Sequence, residues 1–286
     1  MQLIDRSPTG AAFLGEVTRL LQDSRLADST GGLWEAADLQ WWWRLDQRAD
    51  PTRQRFWYRG EIPVVAAVLT TWRQGLAVDL LGTEADVDEH AELLWDFVDT
   101  QLGDRGADML IRVGDDERIA VAQQHGFAAT DEADRTGWLD AGMRPRIPAL
   151  PAGYEIASYA GGSHPMAARN GAQVAERLAE CSLYDPDLDL AIRSPDGSVA
   201  GYALFWADPV TGVGLVEPMR VEDAHQGRGL SRVLIASGLD RLAAQGCSRL
   251  KVSFDPSNAA AVALYTGAGF QVRSESRTFR RAGVPA

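Results

Sequence analysis

The sequence predicts an α/β protein with two domains in tandem, each a mixed, mostly antiparallel twisted sheet flanked by helices. Strand-like and helix-like segments alternate along all 286 residues, which is typical of sheets covered by helices. The same order of segments occurs twice. A proline-containing stretch, residues 141–152, separates the two copies and reads as a linker. These observations predict domains at 1–140 and 153–286.

The second copy is the clearer one. Its fourth predicted strand is followed directly by a glycine-rich turn and a long apolar-periodic helix. The Glu217-Pro218 pair within that strand predicts an irregularity, because proline removes a donor from the ladder. A turn of sequence Ser-Pro-Asp-Gly-Ser joins two earlier strands. We predict strands at 153–157, 188–193, 199–206, 213–221, 249–254 and 271–279, and helices at 174–183, 230–245 and 258–266.

The first copy repeats this order. We predict helices at 13–26, around 41–45 and near 87–102, strands at 55–58, 64–72, 76–81 and 109–113, and a further segment at 115–126. One constant offset, without gaps, aligns 115–127 with 258–270 and 83–87 with 226–230. The repeated order and spacing favour a tandem duplication, with an unrelated first α/β domain as the alternative.

Composition narrows the class of protein. Hydrophobic residues make up 45% of the chain and charged residues 24%, as in globular domains. We expect a cytoplasmic protein without membrane contact, because no apolar run reaches the ~20 residues of a membrane span and the start resembles no signal peptide. Cys181 and Cys247 lie far apart without metal-type spacing, so we expect reduced packing residues and no metal site.

The charge is distributed unevenly. The net charge is −12, and nearly all of it lies in the first half, which carries about −13 through Asp140 against about +1 afterwards. Binding to nucleic acid requires clustered lysine and arginine, so nucleic acid is excluded as a partner. A polyanionic ligand is expected to prefer the second half.

The glycine-rich turn after strand 213–221 is the most informative motif. It reads Gln226-Gly227-Arg228-Gly229-Leu230-Ser231, and it opens a helix. Glycines allow close approach of the backbone, and the free N–H groups of a helix start bind anions such as phosphate. No Gly-Lys-Ser/Thr follows, which excludes a Walker loop, and the glycine spacing is not that of a Rossmann domain. The loop alone is equally compatible with an ordinary strand-to-helix turn.

A second motif follows about thirty residues later. Asn258 is the predicted N-cap residue of a helical segment that contains Tyr265 and ends in Gly269-Phe270. In this order and spacing the two motifs resemble those of the GNAT acetyltransferases, over residues 154 to about 281. The family pattern has glycine or alanine where this chain has Ser231, which is also small. The first copy shares the layout, so both domains are GNAT-like.

The resemblance implies an acetyl-CoA-dependent N-acetyltransferase that moves an acetyl group to a primary amine of a small molecule. It also implies the residues that contact acetyl-CoA. Backbone groups of the strand would bind the pantetheine arm, and the loop and following helix would bind the pyrophosphate. The implied contacts are Met219, Val221, Gln226, Gly227, Arg228, Gly229, Leu230, Ser231, Arg232 and Asn258.

Two residues are candidates for proton transfer. Glu217 is the only carboxylate within its strand, and at the matching position several GNAT members place the base; the alternative is a surface acid paired with Arg220. Tyr265 matches the family's general acid for the departing thiolate, with simple aromatic packing as the alternative. No cysteine–histidine pair suggests an acyl-enzyme, so we expect direct attack in a ternary complex.

The first copy lacks this chemistry. Glu84 and Asp86 occupy the positions aligned with the loop glycines, and carboxylates repel a diphosphate in a partly dry site. Ala122 aligns with Tyr265, and Asp115 aligns with Asn258. We predict a degenerate domain that does not bind acetyl-CoA through this loop.

The acceptor is less determined. The family pattern places it near 163–187, where Tyr184 and Asp185 are candidate substrate contacts. A tandem layout with one degenerate copy is also similar to that of mycothiol synthases, which acetylate the amine of a cysteinyl sugar. A non-catalytic acetyl-CoA-binding regulator is a further alternative. The sequence leaves the acceptor and the oligomeric state open.

Overall fold

The computed structural model describes residues 3–43, 53–72 and 75–283. The elements of the first half follow the predicted order. They are β1 (Ile4–Arg6), α1 (Gly10–Ala27), α2 (Ala36–Trp43), β2 (Gln54–Arg59), β3 (Ile62–Trp72), β4 (Gly75–Gly82), α3 (Glu84–Glu89), α4 (Ala91–Leu102), β5 (Ala107–Arg112) and α5 (Asp116–Gln124).

The second half continues with strands and helices at nearly the predicted positions. They are β6 (Ala128–Asp140), β7 (Glu155–Ser158), α6 (Ala167–Asn170), α7 (Val174–Ala179), β8 (Asp189–Arg193), β9 (Val199–Asp208), β10 (Val213–Val221), α8 (Leu230–Ala244), β11 (Arg249–Phe254), α9 (Ala259–Gly267) and β12 (Gln271–Arg281). The predicted bounds of β10 and β11 are confirmed without change.

Two predicted helices differ from the structure, and one strand was not predicted. The single helix expected near 87–102 is two helices, because the backbone of His90 leaves the helical region between α3 and α4. Helix α7 ends at Ala179, earlier than predicted. Strand β6 was not predicted. Only its last third has a continuous buried run, and the acidic residues before it give no alternating apolar pattern.

The chain divides into two compact units, which do not follow one cut in the sequence. The first unit comprises described residues within 1–42, 46–133 and 275–286, and its strand order is β1-β2-β3-β4-β5-β12. Residues 276–281 belong to it because they pair antiparallel with 107–112 of β5. Its core lies between β3, β4, β5 and the buried face of α4.

The second unit comprises described residues within 43–45 and 134–274, with strand order β6-β11-β10-β9-β8-β7. Residues 135–140 of β6 pair antiparallel with 249–254 of β11, so this unit includes a strand segment from before the predicted linker. Helix α8 packs most of its length into the core. The boundaries at 140 and 153 stay a prediction about the domains of the sequence.

Within the described residues, each unit has a parallel pair of strands, and both pairs are short. Strands β4 and β5 pair only at Leu76–Ala107 and Ala77–Asp108. Strands β10 and β11 pair at three positions, ending at Leu215–Lys251. Beyond these points the paired strands separate, and in both units the first strand of the pair leads into a helix.

Two predictions about the whole chain have outcomes here. Cys181 and Cys247 are both buried, and neither forms a disulfide within the described residues. Among the described residues, no helix combines the length and the apolar character that crossing a bilayer requires.

Candidate active site

The pairing of β10 with β11 ends partway along β10 and leaves a gap, the cleft, in the sheet of the second unit. Strand β10 stays paired with β9 as far as Val221, but its pairing with β11 ends at Leu215. The backbone edge of 216–221 that would face β11 therefore borders the cleft. The register shifts between Val216 and Met219, which confirms the irregularity predicted at Glu217-Pro218. The indole N–H of Trp206 donates to the Glu217 carbonyl oxygen at 2.8 Å and fixes this bulge.

The glycine-rich loop follows β10 and ends in helix α8. Gly227 and Gly229 have φ values of +73° and +81°, a region that favours glycine, and a Cβ on either would meet no atom within 4 Å. Gly229 is the N-cap residue of α8, so no side chain caps this helix. Within the described chain, the amide N–H groups of 227–231 donate to no partner. They form an exposed set of donors at the positive end of a helix dipole.

Two cations flank these amides. Arg228 and Arg232 are exposed, and neither forms an ion pair with any described acid. By contrast, the side chain of Gln226 is turned back on the loop, where its amide donates to the Val221 carbonyl at 3.4 Å and to Asp223 Oδ1 at 3.2 Å. The loop therefore combines free N–H donors and free positive charge, the two properties that a diphosphate requires.

His225 has a partner that sequence reasoning did not identify. Its Nδ1 lies 3.0 Å from the Tyr154 hydroxyl, and the two rings meet edge to face with centroids 5.8 Å apart. Tyr154 precedes β7 and is distant from His225 in the sequence. No local spacing signals such a contact, which ties the turn before the loop to the body of the second unit.

The side chain of Tyr265 is buried in the core of the second unit. Its side chain is 9% exposed, and its ring packs between Phe254 and Phe270 at centroid distances of 5.3 and 6.0 Å. The hydroxyl makes no hydrogen bond within the described residues. Burial raises the pKa of Tyr265, and the negative charge of Glu217 raises that pKa further, so the phenol stays protonated at neutral pH.

Asn258 confirms its predicted place as the N-cap residue of α9. Its Oδ1 accepts a hydrogen bond from the Ala261 N–H at 3.1 Å. The helix then carries Tyr265 on its buried side, and Gly269, with φ of +101°, turns the chain so that Phe270 enters the core. Contact between Asn258 and acetyl-CoA stays a prediction.

Glu217 lies at the bulge, half-buried, and its charge acts on Tyr265. The alternative of a surface acid paired with Arg220 is not supported. Arg220 instead pairs with Glu222 at 3.4 Å and Asp223 at 3.1 Å, and it has no other ion pair in the described chain. The role of Glu217 as base stays a prediction.

The two predicted acceptor contacts have structural partners. The Tyr184 hydroxyl donates to Asp189 Oδ2 at 2.9 Å, and that oxygen also lies 2.7 Å from Nε2 of the buried His164. Asp185 accepts from the Asp187 N–H at 2.8 Å and from the Gln245 amide at 2.6 Å. Substrate contact by Tyr184 and Asp185 stays a prediction.

The His164–Asp189–Tyr184 network was not recognised in the sequence, because its members are spread over two loops and a strand and form no motif. The Tyr184 ring contacts Trp206 edge to face at 6.3 Å. Trp206 in turn holds the Glu217 carbonyl. The network therefore supports the bulge that carries the candidate base.

Comparison with known proteins agrees with this geometry. Residues 159–270 match the model of the acetyltransferase (GNAT) family. These residues form a GNAT domain. The match includes the glycine-rich loop, Glu217, Asn258 and Tyr265, and it ends at Phe270.

Curated relatives are similar to part of this chain. It is 33% identical over 156 residues to the mycothiol acetyltransferase of Clavibacter michiganensis subsp. michiganensis, covering 49% of each chain. It is 34% identical over 149 residues to that of Tsukamurella paurometabola, covering 43% of this chain and 50% of the relative. The chain thus spans about half the length of the curated relatives it matches.

Solved structures extend the likeness in fold to the whole chain. A tandem GNAT protein from the clavulanic acid biosynthesis pathway matches with a TM-score of 0.71 at 18% identity, covering all of both chains. A GCN5-related N-acetyltransferase from Sphaerobacter thermophilus matches with a TM-score of 0.61 at 19% identity, covering 99% and 98%. The chain therefore has the tandem GNAT fold.

Proposed function

We propose that the chain is an acetyl-CoA-dependent N-acetyltransferase whose acceptor is the primary amine of a cysteinyl sugar. The observation that carries the acetyl-CoA part is the row of unsatisfied N–H groups at 227–231, beside a cleft between two separating strands. The first N–H groups of a helix need acceptors. A bound ligand can supply those acceptors, which explains why no side chain caps this helix.

Each part of the site would hold a different part of the co-substrate. The amides of 227–231, with Arg228 and Arg232, would bind the diphosphate. The free backbone edge of β10, including Met219 and Val221, would bind the amides of the pantetheine arm as a neighbouring strand does. Acetyl-CoA supplies the reactive thioester, and the residues of the cleft align it with the amine.

Proton transfers at two residues complete the reaction. An alkylamine has a pKa of about 10 and must lose a proton before it attacks. Glu217 takes that proton, directly or through water, and the neutral nitrogen then forms the new C–N bond. Tyr265 gives its phenolic proton to the sulfur as the C–S bond breaks. The nitrogen gives up a second proton to water as the amide forms, and water later reprotonates Tyr265. The raised pKa of Tyr265 keeps this proton available across the neutral range.

An acyl-cysteine intermediate is disfavoured by the state of both cysteines. Burial raises the pKa of Cys181 to about 12 and the pKa of Cys247 to about 11. The thiolate, which is the nucleophilic form, is therefore scarce at neutral pH. Direct attack of the amine within a ternary complex is the mechanism that these residues support.

The choice of acceptor rests on the relatives, which are mycothiol acetyltransferases. The test is to incubate the protein with acetyl-CoA and, in turn, a cysteinyl sugar, an aminoglycoside and a simple alkylamine. Products are identified by mass spectrometry, and free coenzyme A by chromatography, because a thiol reagent also reacts with the cysteinyl thiol.

We expect acetylation of the cysteinyl sugar with a kcat/KM at least about tenfold above that of the other amines. Acetylation of another amine alone would keep the acetyltransferase and refute the acceptor. Binding of acetyl-CoA without release on any acceptor would favour the regulator instead.

A further inference from the structure

The first unit contains a cavity of its own. Its volume is about 360 Å3, and it lies beside the separation of β4 and β5, under the end of α1 and the loop that follows α1. Much of the wall is apolar. The apolar members include Leu21, Leu33, Val78, Leu81, Val87 and Met109. A space of this size in a protein interior is suited to a small organic ligand.

One carboxylate in the wall has an unsatisfied oxygen. Asp79 of β4 is 6% exposed, and its Oδ1 accepts a hydrogen bond from the indole N–H of Trp34 at 2.9 Å. Its Oδ2 is buried and has no hydrogen-bond partner, and neither has the buried Oγ1 of Thr70 on the adjacent strand. Leaving a buried carboxylate oxygen unbonded is costly, so the fold alone gives no reason for an aspartate here.

The other charged side chains in the wall have partners already. They differ from Asp79 in that their charge is neutralised or their oxygens are hydrogen-bonded. Arg25 pairs with Glu35, Arg118 pairs with Asp88, Glu84 pairs with Arg112, and Asp28 accepts the backbone N–H groups of Thr30 and Gly31. Asp79 is therefore the buried carboxylate of this wall that has neither an ion-pair partner nor hydrogen bonds to both of its oxygens.

We propose that the cavity binds a small primary amine with a short apolar chain, its ammonium group bonded to the free oxygen of Asp79. An ammonium brings the missing positive charge and N–H donors, one of which can bond to Asp79 Oδ2. The apolar wall covers the carbon chain. This site lies in the first unit and is separate from the acetyl-transfer residues of the second.

The protonation of Asp79 gives the site a pH dependence. Burial raises the pKa of Asp79 to about 7; the hydrogen bond from Trp34 and the nearby Thr70 hydroxyl oppose this rise, and the charge of Asp38 on α2 adds to it. The other charged groups of α1 and its loop, Arg25 and Glu35, neutralise each other. The carboxylate becomes mostly ionised above pH 7, while an alkylammonium stays charged up to about pH 10. Affinity for an amine therefore rises between pH 6 and pH 8.

The test uses hexylamine as the probe and the full-length chain without acetyl-CoA. Calorimetry and ligand-observed NMR at pH 8 compare hexylamine with hexanol and hexanoate, which share its chain but not its charge. We expect hexylamine to bind at least about tenfold more tightly than either, with about tenfold weaker binding at pH 6. Asp79→Asn should weaken it at least about tenfold, whereas Glu92→Gln, the same charge change on an exposed residue outside the cavity, should not.

A second variant tests the same site without altering the buried Asp79, in case Asp79→Asn does not fold. Ala27 lies in the cavity wall at an exposed position, so Ala27→Trp should block the mouth without touching the core. The proposal is overturned if hexylamine binds no better than hexanol, or if its affinity survives both substitutions in folded protein. The proposal would also be overturned if acetyl-CoA displaced hexylamine and this competition depended on Asp79. None of these outcomes depends on acetyl transfer.

Discussion

The two units start a helix at corresponding places in opposite ways. In the first unit Thr83 is the N-cap residue of α3, and its Oγ1 accepts a hydrogen bond from the Asp86 N–H at 3.1 Å. Glu84 in the first turn pairs with Arg112 at 3.0 Å. In the second unit Gly229 offers no side-chain cap, and the N–H groups remain free. The first helix start is satisfied from within, whereas the second needs an acceptor from outside.

This difference explains how one layout serves two purposes. Both units separate a parallel pair of strands and place a helix start next to the opening. The loop at that point is one clear difference between the two units. Negative side chains complement the helix dipole and stabilise the helix without a ligand, while glycines leave the same dipole available to a phosphate.

The largest expected effect comes from exchanging the loops. Gly227→Glu, Arg228→Ala and Gly229→Asp together give the second unit the residues 84–86 of the first. Both glycine sites have positive φ, and the new acids repel a diphosphate, so the Kd for acetyl-CoA should rise by about 1,000-fold, measured by calorimetry. Gly246→Ala, at an equally open positive-φ site at the other end of α8, should leave it unchanged.

The reciprocal experiment concerns the first unit. We predict that it does not bind acetyl-CoA through its loop, so calorimetry should give one cofactor per chain. Glu84→Gly with Asp86→Gly should leave that number and the Kd unchanged. A stoichiometry of two, with one site lost in this double variant, would contradict the prediction.

The next largest effect concerns the hydroxyl of Tyr265, which Ala122 at the aligned position of the first unit lacks. Tyr265→Phe keeps the ring between Phe254 and Phe270 and removes only the hydroxyl, so kcat should fall by about 100-fold or more while the Kd for acetyl-CoA stays within about twofold. Steady-state kinetics and calorimetry measure the two quantities. An unchanged kcat would leave Tyr265 as a packing residue, as Ala122 is in the first unit.

Sequence reasoning located the second unit's loop, the bulge and both ends of α9 because each depends on local chemistry. Positive-φ glycines, a strand proline and an N-cap asparagine each have a direct backbone consequence. The N-cap prediction for Asn258 was confirmed, and Asp115, its aligned position in the first copy, caps α5 in the same way through the Arg118 N–H.

The features that could not be predicted depend on contacts between segments far apart in the sequence. Strand β6 has too few apolar residues to be recognised alone, and it is a strand because β11 supplies its partner. The pairing of β12 with β5 joins a segment at the end of the chain to one in its first half. Neither has a local signal. The same holds for the contact of His225 with Tyr154 and for the unsatisfied oxygen of Asp79.

The substitution Glu217→Gln should have a smaller, pH-dependent effect. Without a base, the reaction depends on the fraction of amine already neutral, which grows as the pH rises. The loss of kcat/KM should therefore be about 100-fold near pH 7 and shrink towards pH 9, measured as a pH–rate profile. Asp223→Asn, an exposed acid beside the same strand, should reproduce neither the loss nor its pH dependence.

The two free arginines should contribute less individually. Arg228→Ala or Arg232→Ala removes one charge-assisted contact at an exposed site, so the KM for acetyl-CoA should rise by about tenfold and kcat should change little. Arg118→Ala, which removes a cation paired with Asp88 in the first unit, is the matched control. An equal rise in all three variants would mean that overall charge, not the loop, accounts for the effect.

The smallest expected effect tests whether the N-cap residue Asn258 contributes to acetyl-CoA affinity as well as to helix stability, while Asp115 contributes to stability alone. Asn258→Ala and Asp115→Ala each remove one side-chain hydrogen bond to a helix N–H, at the same 3.1 Å distance. Each should lower the free energy of unfolding by about 1 kcal/mol, seen as a melting temperature lower by about 2–4 °C. Only Asn258→Ala should also raise the KM for acetyl-CoA, because only its helix borders the cleft that carries Glu217 and Tyr265. If both variants lose stability equally and neither changes KM, the asparagine is a helix cap alone, and the second unit's affinity resides in its glycine loop.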